Sequence, residues 1–151
     1  MKTPRGVIET CLYVDDLTAA RSFYTEVLGA CPFQEEAGRH IFLRIGESLL
    51  FLFNPKITAH PPSPNEALPV PPHGAHGPGH VAFAVEDDLE DWRAHLLVHN
   101  VAIEQTISWP NGARSLYFRD PAGNSLEIAT RDLWSDQLSR PPDLNGNARP
   151  D

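Results

Sequence analysis

Side chains that could bind a metal stand at matching places in two similar stretches of the sequence. Residues 77–89 repeat the pattern of residues 8–17, each stretch having a ligand-capable side chain, an alternating apolar run, an acidic cluster and then a helical segment. Glu9 and His80 occupy the same place in these copies, and Glu127 stands in the last predicted strand of the second copy. Two carboxylates and one imidazole suit Zn²⁺, Ni²⁺, Mn²⁺ or Fe²⁺ and leave positions open for water and a substrate. We therefore expect one divalent metal ion bound by Glu9, His80 and Glu127, with its identity left open.

Each of these residues has a plainer interpretation when it is considered alone. A carboxylate on a strand is usually solvated, and a single histidine is usually a hydrogen-bonded core or surface residue. Burying a carboxylate among apolar strands is costly unless a cation or hydrogen bonds compensate. The agreement of positions between the two copies therefore favours a shared metal site, since convergent titratable groups mark functional sites.

Further residues could take part in catalysis or substrate binding. Cys11 shares the face of an alternating strand with Glu9, where it acts as a nucleophile or simply packs. Arg114 and Tyr117 precede the last strand; if they point inward they could hold an anionic substrate and donate a proton, and a surface position is the alternative. His40 is a candidate pocket residue on a strand. We thus expect Glu9, Tyr117 and Cys11 to be catalytic, and Arg114, Tyr117 and His40 to bind substrate.

The hydrophobic periodicity predicts two units, each with one strand, one helix and three further strands. Alternating apolar residues predict strands, and apolar residues three and four positions apart predict amphipathic helices. In the first unit these elements are a strand at 7–14, a helix at 17–28 capped by Asp15 or Asp16, and strands at 31–36, 41–45 and 48–53. In the second unit they are a strand at 80–85, a helix at 88–99 and strands at 102–108, 114–118 and 125–130.

The predicted fold class is α+β, with two βαβββ modules that each form a half-barrel sheet. One domain is expected at 1–135, with module 1 at about 6–54 and module 2 at about 79–133. Residues 55–78 between them are rich in proline, which predicts a linker, and residues 136–151 are predicted to be a flexible tail without chemistry. If each sheet curls so that its first and last strands point inward, Glu9, His80 and Glu127 converge together with Leu50, the predicted counterpart of Glu127.

Composition excludes several classes of partner. The chain has 151 residues, is 41% hydrophobic and carries a formal charge of −8. This balance, without a Lys/Arg cluster, argues against a nucleic-acid surface, which would have to neutralise phosphates. No apolar stretch is long enough to span a bilayer and no signal-like segment opens the chain, so we expect a soluble, cytoplasmic protein without a membrane partner. Cys11 and Cys31 lack CxxC spacing and are expected to be buried thiols without a disulfide.

Two motifs resemble the vicinal oxygen chelate superfamily, which includes glyoxalase I, bleomycin-resistance proteins, fosfomycin-resistance enzymes and extradiol dioxygenases. The motifs are the first helix, from Asp16-Leu17 through Phe23-Tyr24 to Gly29, and the closing hairpin, from Tyr117 through Asp120-Pro121-Ala122-Gly123-Asn124 to Glu127. The resemblance covers roughly residues 6–133. It implies a glyoxalase-like fold, a module-paired or swapped homodimer and a divalent metal that the substrate chelates through two adjacent oxygens. It also implies that His80 and Glu127 are the second and third ligands, that Glu9 stands where many members have a first histidine, and that Leu50 stands where glyoxalase I enzymes often have a fourth ligand.

Two functional hypotheses from different classes follow from the residues and the resemblance. The first is a metal-dependent lyase, isomerase or thiol-transferase that acts on a small oxygenated molecule by Lewis-acid catalysis. In a swapped dimer, Glu9 would come from one subunit and His80 with Glu127 from the other. The alternative is a metal-free protein that sequesters a ligand in the dimer groove, as bleomycin-resistance proteins do. A dimer without activity or ligand is a third possibility.

Overall fold

The chain folds into two βαβββ modules joined by a linker. The computed structural model describes residue 2, residues 4–86 and residues 88–138. The elements of the first module are β1 (Glu9–Tyr13), α1 (Leu17–Glu26), β2 (Cys31–Glu36), β3 (His40–Ile45) and β4 (Ser48–Phe53), and the linker begins with α2 (Pro55–Thr58). The elements of the second module are β5 (His80–Val85), α3 (Leu89–Val98), β6 (Ile103–Ser108), β7 (Arg114–Arg119) and β8 (Ser125–Thr130), followed by a 3₁₀ turn (Arg131–Trp134) and α4 (Ser135–Leu138). The predicted α+β class and the two-module architecture are confirmed.

Each module contains one four-stranded mixed sheet, and the two sheets have the same topology. The strand orders are β1-β4-β3-β2 and β5-β8-β7-β6. In both sheets the first and last strands pair in parallel, and the other neighbours pair antiparallel. A register shift interrupts the edge pair of each sheet, between Pro32 and Gln34 in β2 and between Ile103 and Gln105 in β6. The repeat seen in the sequence is therefore also a repeat of strand pairing.

One face of each sheet packs against a helix, and the opposite face carries the candidate site residues. Alternating apolar residues of both sheets join α1 and α3 in a single buried cluster, which includes Leu12, Leu43, Leu50 and Leu52 from the first sheet and Leu116, Phe118, Leu126 and Ile128 from the second. Because side chains alternate along a strand, the residues between them lie on the other face. We call that other face the site face of each sheet.

An aspartate side chain caps the start of each of the two long helices. The Asp16 carboxylate accepts hydrogen bonds from the backbone N–H groups of Thr18 and Ala19, and Asp88 caps α3 through the N–H of Glu90. The predicted cap by Asp15 or Asp16 is thus confirmed for Asp16. A side-chain oxygen in this position satisfies N–H groups that have no partner within the helix.

The hairpin between β7 and β8 connects the two modules through buried polar groups. Asp120 is 4% exposed and Asn124 is 2% exposed. The Tyr24 hydroxyl of α1 donates to Asp120 at 3.0 Å, and the Asn124 amide donates to the Tyr13 carbonyl at 3.1 Å. Burial, followed by the negative charge of Asp120, raises the pKa of Tyr24, so this phenol stays protonated. The Asp-Pro-Ala-Gly-Asn motif therefore has a structural role in joining the modules.

The predicted equivalence of Leu50 with Glu127 is wrong by one residue. Cys11 pairs with Phe51 as Ala82 pairs with Glu127, whereas Leu50 points into the core. The β3–β4 hairpin has a connection of residues 46–47, whereas the β7–β8 connection spans residues 120–124. Since a one-residue slip moves a strand residue to the opposite face, this difference in length puts Phe51, and not Leu50, at the position of Glu127.

The linker and the C-terminal segment contain short helices that the sequence did not predict. Pro55 begins α2, where its missing N–H is not needed, and Asn54 caps this turn through the N–H of Lys56. The predicted tail at 136–151 starts within α4, and its residues 139–151 lie outside the described part of the chain. Among the described residues, the helices are too short or too polar to span a membrane.

Candidate active site

His80 and Glu127 lie next to each other on the site face of the second sheet. They extend from the parallel neighbours β5 and β8, and the His80 Nε2 atom is 3.5 Å from the Glu127 Oε2 atom. Glu127 is buried, with 4% exposure, whereas the His80 side chain is 52% exposed. The pair therefore joins a half-exposed imidazole to a buried carboxylate.

The remaining polar atoms of this pair are already hydrogen-bonded. His80 Nδ1 is 3.0 Å from the Ser125 carbonyl oxygen. Since a carbonyl only accepts, Nδ1 must carry the hydrogen, and a neutral imidazole then has its lone pair on Nε2. Glu127 Oε1 accepts a hydrogen bond from the Ser115 hydroxyl at 2.5 Å. The other atoms of the two side chains, Nε2 of His80 and Oε2 of Glu127, are the two that face each other.

This donor pair fits a divalent metal ion. Two ligand atoms at about 2.1 Å from a tetrahedral ion stand about 3.4 Å apart, close to the spacing between Nε2 and Oε2. A second-shell acceptor on the other nitrogen, such as the Ser125 carbonyl, is the usual partner of a metal-binding histidine. Within the described residues, however, no three His, Cys, Asp or Glu side chains come together, so one chain contributes two donors.

Glu9 and Cys11 lie on the site face of the first sheet, apart from His80 and Glu127. Both are exposed on β1, where they pair with Leu49 and Phe51 of β4. The expected burial of Cys11 is therefore wrong, and so is that of Cys31, which is also exposed. The Cys11 thiol is 4.0 Å from the Tyr13 hydroxyl. The described chain thus unites two of the three predicted ligands, and the roles of Glu9 and Cys11 stay predictions.

Tyr117 belongs to the same group as His80 and Glu127. It pairs with Glu127 across β7 and β8, and its ring lies nearly parallel to the His80 imidazole, with 6.2 Å between centroids. Burial raises the pKa of Tyr117 to about 12, with further contributions from its hydrogen bond to Glu127 and from the charge of that carboxylate. The phenol is therefore protonated throughout the neutral range and is able to donate a hydrogen bond.

Arg114 is placed differently from the prediction. Its side chain lies on the face that packs against α3, where the guanidinium forms a 2.8 Å ion pair with Glu90. The residue occupies the same alternation as Leu116 and Phe118, whose side chains belong to the core. Since neighbouring strand positions face opposite ways, Arg114 cannot share the site face with Tyr117 and Glu127. The inward position considered for Arg114 is therefore wrong, and its role in substrate binding stays a prediction.

His40 lies on the site face of the first sheet, inside an aromatic stack. Its ring is 4.2 Å from that of Phe42, which in turn stacks on Phe51 at 3.8 Å. His40 is 7% exposed, and neither ring nitrogen has a hydrogen-bond partner among the described residues. Burial lowers the pKa of His40, an effect that the Glu36 carboxylate only partly offsets. It is therefore an uncharged member of the stack, and its predicted contact with substrate stays a prediction.

Three residues that lie on the site face or contact it were not among the predicted site residues. Ser115 contacts Glu127, the Trp109 indole donates to Ser115 at 2.8 Å, and His73 of the linker lies 3.0 Å from the Tyr13 hydroxyl. Ser115 could have been found, because it precedes Tyr117 by two positions on one strand and so shares its face. Trp109 and His73 lie in connecting segments, where no periodicity indicates direction.

A cavity of about 370 Å³ lies elsewhere in the molecule. It is bordered by the start of α1, the end of the linker and the β7–β8 turn, with Asp15, His76 and Pro121 among its lining residues. None of the candidate catalytic or ligand residues lines it. The candidate site is therefore the open site face and not this cavity.

Known proteins of similar sequence and structure agree with this fold. The chain belongs to the Glyoxalase/Bleomycin resistance protein/Dioxygenase superfamily, whose family model matches residues 6–128. The resemblance noted in the sequence is thereby confirmed.

Solved structures support the same family. The chain is 38% identical to a lactoylglutathione lyase from Agrobacterium tumefaciens, with a TM-score of 0.81 over 88% of this chain and 98% of that one. It is 26% identical to an integron cassette protein from the mobile metagenome of V. Cholerae, with a TM-score of 0.65 over 87% and 98% of the two chains. A fosfomycin resistance protein from Mesorhizobium loti, 19% identical with a TM-score of 0.60 over 91% and 100% of the two chains, shares the fold.

Proposed function

We propose that this protein is a divalent-metal-dependent enzyme that acts on a small substrate with two adjacent oxygens. The observation that carries the proposal is the pair formed by His80 Nε2 and Glu127 Oε2, which face each other at 3.5 Å while the second polar atom of each side chain is hydrogen-bonded elsewhere. The separation of 3.5 Å is longer than the N–O distance of about 2.7–2.9 Å that is usual for a hydrogen-bonded ion pair, and it leaves room for an ion between the two atoms.

His80, Glu127 and the Glu9 of a second copy would hold the metal. When bound, the ion would supply Lewis-acid polarisation of the substrate oxygens. Tyr117, a protonated phenol beside Glu127, would donate a hydrogen bond that orients one of those oxygens. Glu9, exposed on β1, would also be placed to accept a proton from the substrate, with Cys11 two positions along the same face.

The reaction we favour is that of a lyase or isomerase. At 38% identity over nearly all of its length, the similar lactoylglutathione lyase provides the most specific support. A lactoyl thioester carries its hydroxyl and carbonyl oxygens on neighbouring carbons, which suits binding to one metal through both. Phe51 takes the position equivalent to Glu127 in the first sheet, so that position supplies no fourth ligand. A thiol-transferase reaction is the alternative to the lyase or isomerase reaction within this proposal.

The proposal includes a homodimer, since the described chain brings together two of the three ligands. Glu9 is exposed on the site face, and Phe33, which contacts Phe42 on the same face, is 54% exposed. Pairing the first sheet of one copy with the second sheet of another would place Glu9 opposite His80 and Glu127. We also propose that the protein is soluble and works in the cytoplasm.

Metal analysis of purified protein tests the proposal. We expect about one divalent ion per chain in the wild type after reloading with Zn²⁺, Ni²⁺, Mn²⁺ or Fe²⁺, and loss of that ion in His80→Ala. His60→Ala, which removes an exposed histidine of the linker, is the matched control and should keep the metal. A wild-type protein that binds none of these ions would refute the proposal.

A second candidate function rests on the aromatic site face of the first sheet. Phe33, Phe42, Phe51 and Phe53 lie close together there, with centroid distances of 3.8–6.3 Å between neighbouring rings. Such a surface suits a ligand-sequestering protein that stacks a planar ligand without a metal. Tight, stoichiometric binding of an aromatic ligand by protein shown to be metal-free would favour this function.

A further inference from the structure

We infer that Ser115 and Trp109 are positioning residues that orient the Glu127 carboxylate toward the metal. This inference rests on the proposed function. The Trp109 Nε1 atom lies 2.8 Å from Ser115 Oγ, and Ser115 Oγ lies 2.5 Å from Glu127 Oε1. Ser115 is fully buried and Glu127 nearly so. Three residues from different parts of the second module thus form one hydrogen-bonded chain that ends at a proposed ligand.

The hydrogen bonds from Trp109 to Ser115 and from Ser115 to Glu127 can run in only one direction. An indole N–H donates and never accepts, so Ser115 Oγ must use a lone pair for Trp109. The single hydroxyl hydrogen of Ser115 is then free to point at Glu127, whose carboxylate oxygens accept. Trp109 therefore determines which way the Ser115 hydroxyl points.

This direction decides how Glu127 can bind a cation. With Oε1 held by Ser115, only Oε2 faces His80, at 3.5 Å from Nε2. Without the Ser115 hydroxyl, Oε1 would lose the partner that holds it away from the ion, and both oxygens could bind the same ion. The Trp109–Ser115 pair thus favours binding through one oxygen and removes rotational freedom before the metal arrives.

Trp109 is itself held in place by the segment around it. The β6–β7 hairpin closes with a 2.8 Å hydrogen bond from the Trp109 N–H to the Ala113 carbonyl. The indole packs against a small apolar cluster of Ala113, Ala129 and Leu133, which is separate from the main core. The Asn111 amide fastens the hairpin to the Leu133 carbonyl at 3.1 Å. The 3₁₀ turn after β8 therefore supports Glu127 indirectly, because it helps to hold Trp109 in place.

Metal affinity of apo protein reloaded with Zn²⁺ or Co²⁺ tests the inference without reference to any substrate. Dissociation constants come from competition with a chromophoric chelator. We expect Ser115→Ala to weaken binding by about 10–100-fold, the usual range for the partner of a metal ligand. Trp109→Phe, which keeps a ring but loses the N–H, should weaken binding less, by several-fold. In the Ser115→Ala background, Trp109→Phe should add nothing, because its effect passes through Ser115.

The control and the spectrum separate positioning from general damage to the fold. Trp92→Phe, on α3 with its ring edge-on to His95, should leave metal affinity unchanged. The visible spectrum of the Co²⁺ form should change in Ser115→Ala, since the ligation by Glu127 changes, while thermal melting shows whether the variant is folded. Should Ser115→Ala fail to fold, Trp109→Phe alone carries the test.

The possible failures are distinguishable. If the wild type binds no metal, the proposed function falls and this inference falls with it. If the wild type binds metal and both single variants bind it equally well with an unchanged Co²⁺ spectrum, only this inference is overturned. Additive losses in the double variant would likewise refute transmission through Ser115.

Discussion

At matching positions, Ser115, Tyr117 and Glu127 of the second sheet correspond to His40, Phe42 and Phe51 of the first. The strand registers establish the match: Tyr117 pairs with Glu127 as Phe42 pairs with Phe51, and Ser115 pairs with Ala129 as His40 pairs with Phe53. One site face therefore has hydrogen-bonding groups around a carboxylate, and the other has a stack of rings on the same framework. The duplicated strand pairing constrains where side chains stand but leaves their chemistry free.

The two site faces also differ in the contacts that their buried side chains need. Glu127 is buried with a hydrogen-bond donor on one oxygen, as burial of a carboxylate demands. The phenylalanines of the first sheet need only close packing. His40 is the exception on that face, since it is buried in the stack without a hydrogen-bond partner among the described residues.

The largest expected effect comes from combining the two sheets across two copies. Glu9→Ala and His80→Ala homodimers should each lose the metal. A heterodimer of the two variants should recover about one ion, because it contains one intact site made of Glu9 from one chain and His80 with Glu127 from the other. Co-expression with two affinity tags, followed by metal analysis, measures this. A heterodimer without metal, alongside a metal-loaded wild type, would rule out the swapped arrangement.

A smaller effect is expected from weakening the connection between the modules. Tyr24→Phe removes the donor that α1 supplies to the buried Asp120 of the second module. We expect the free energy of unfolding to fall by about 1–3 kcal/mol, the range for leaving a buried group without one partner. Urea denaturation measures it, with Ser22→Ala on the exposed side of α1 as the control. An unchanged midpoint would mean that this hydrogen bond does not stabilise the module contact.

The smallest expected effect concerns His40 and its pH dependence. His40→Phe replaces a buried imidazole with a ring that needs no hydrogen bond, so we expect a gain of about 1 kcal/mol in unfolding free energy. Because burial lowers the pKa of His40 in the folded protein, protonation favours the unfolded chain. Wild-type stability should therefore fall as pH drops below the unfolded value of about 6.5, and the variant should lose less. Denaturation curves at several pH values compare the two, with His60→Ala as a control that keeps the wild-type slope. Equal slopes for wild type and His40→Phe would contradict this.

The elements of the fold were accessible from the sequence because their signals are local. Alternation along β1 and β5 and the caps at Asp16 and Asp88 each depend on residues close together in the chain. The placement of Glu127 opposite Phe51 was not accessible, because it depends on the lengths of two hairpin connections. The face of Arg114 was accessible from the sequence, because this residue alternates in step with the core residues Leu116 and Phe118 and out of step with Tyr117.

By itself, the sequence determined the two βαβββ modules and the choice of His80 and Glu127 as residues that meet. Only the tertiary structure decided that Oε2 of Glu127 is the oxygen facing His80, and that Ser115 and Trp109 hold the other. The physical reason is that strand and helix formation depends on periodicity within one segment. The direction of a hydrogen bond depends instead on which side chains of other segments reach the same place.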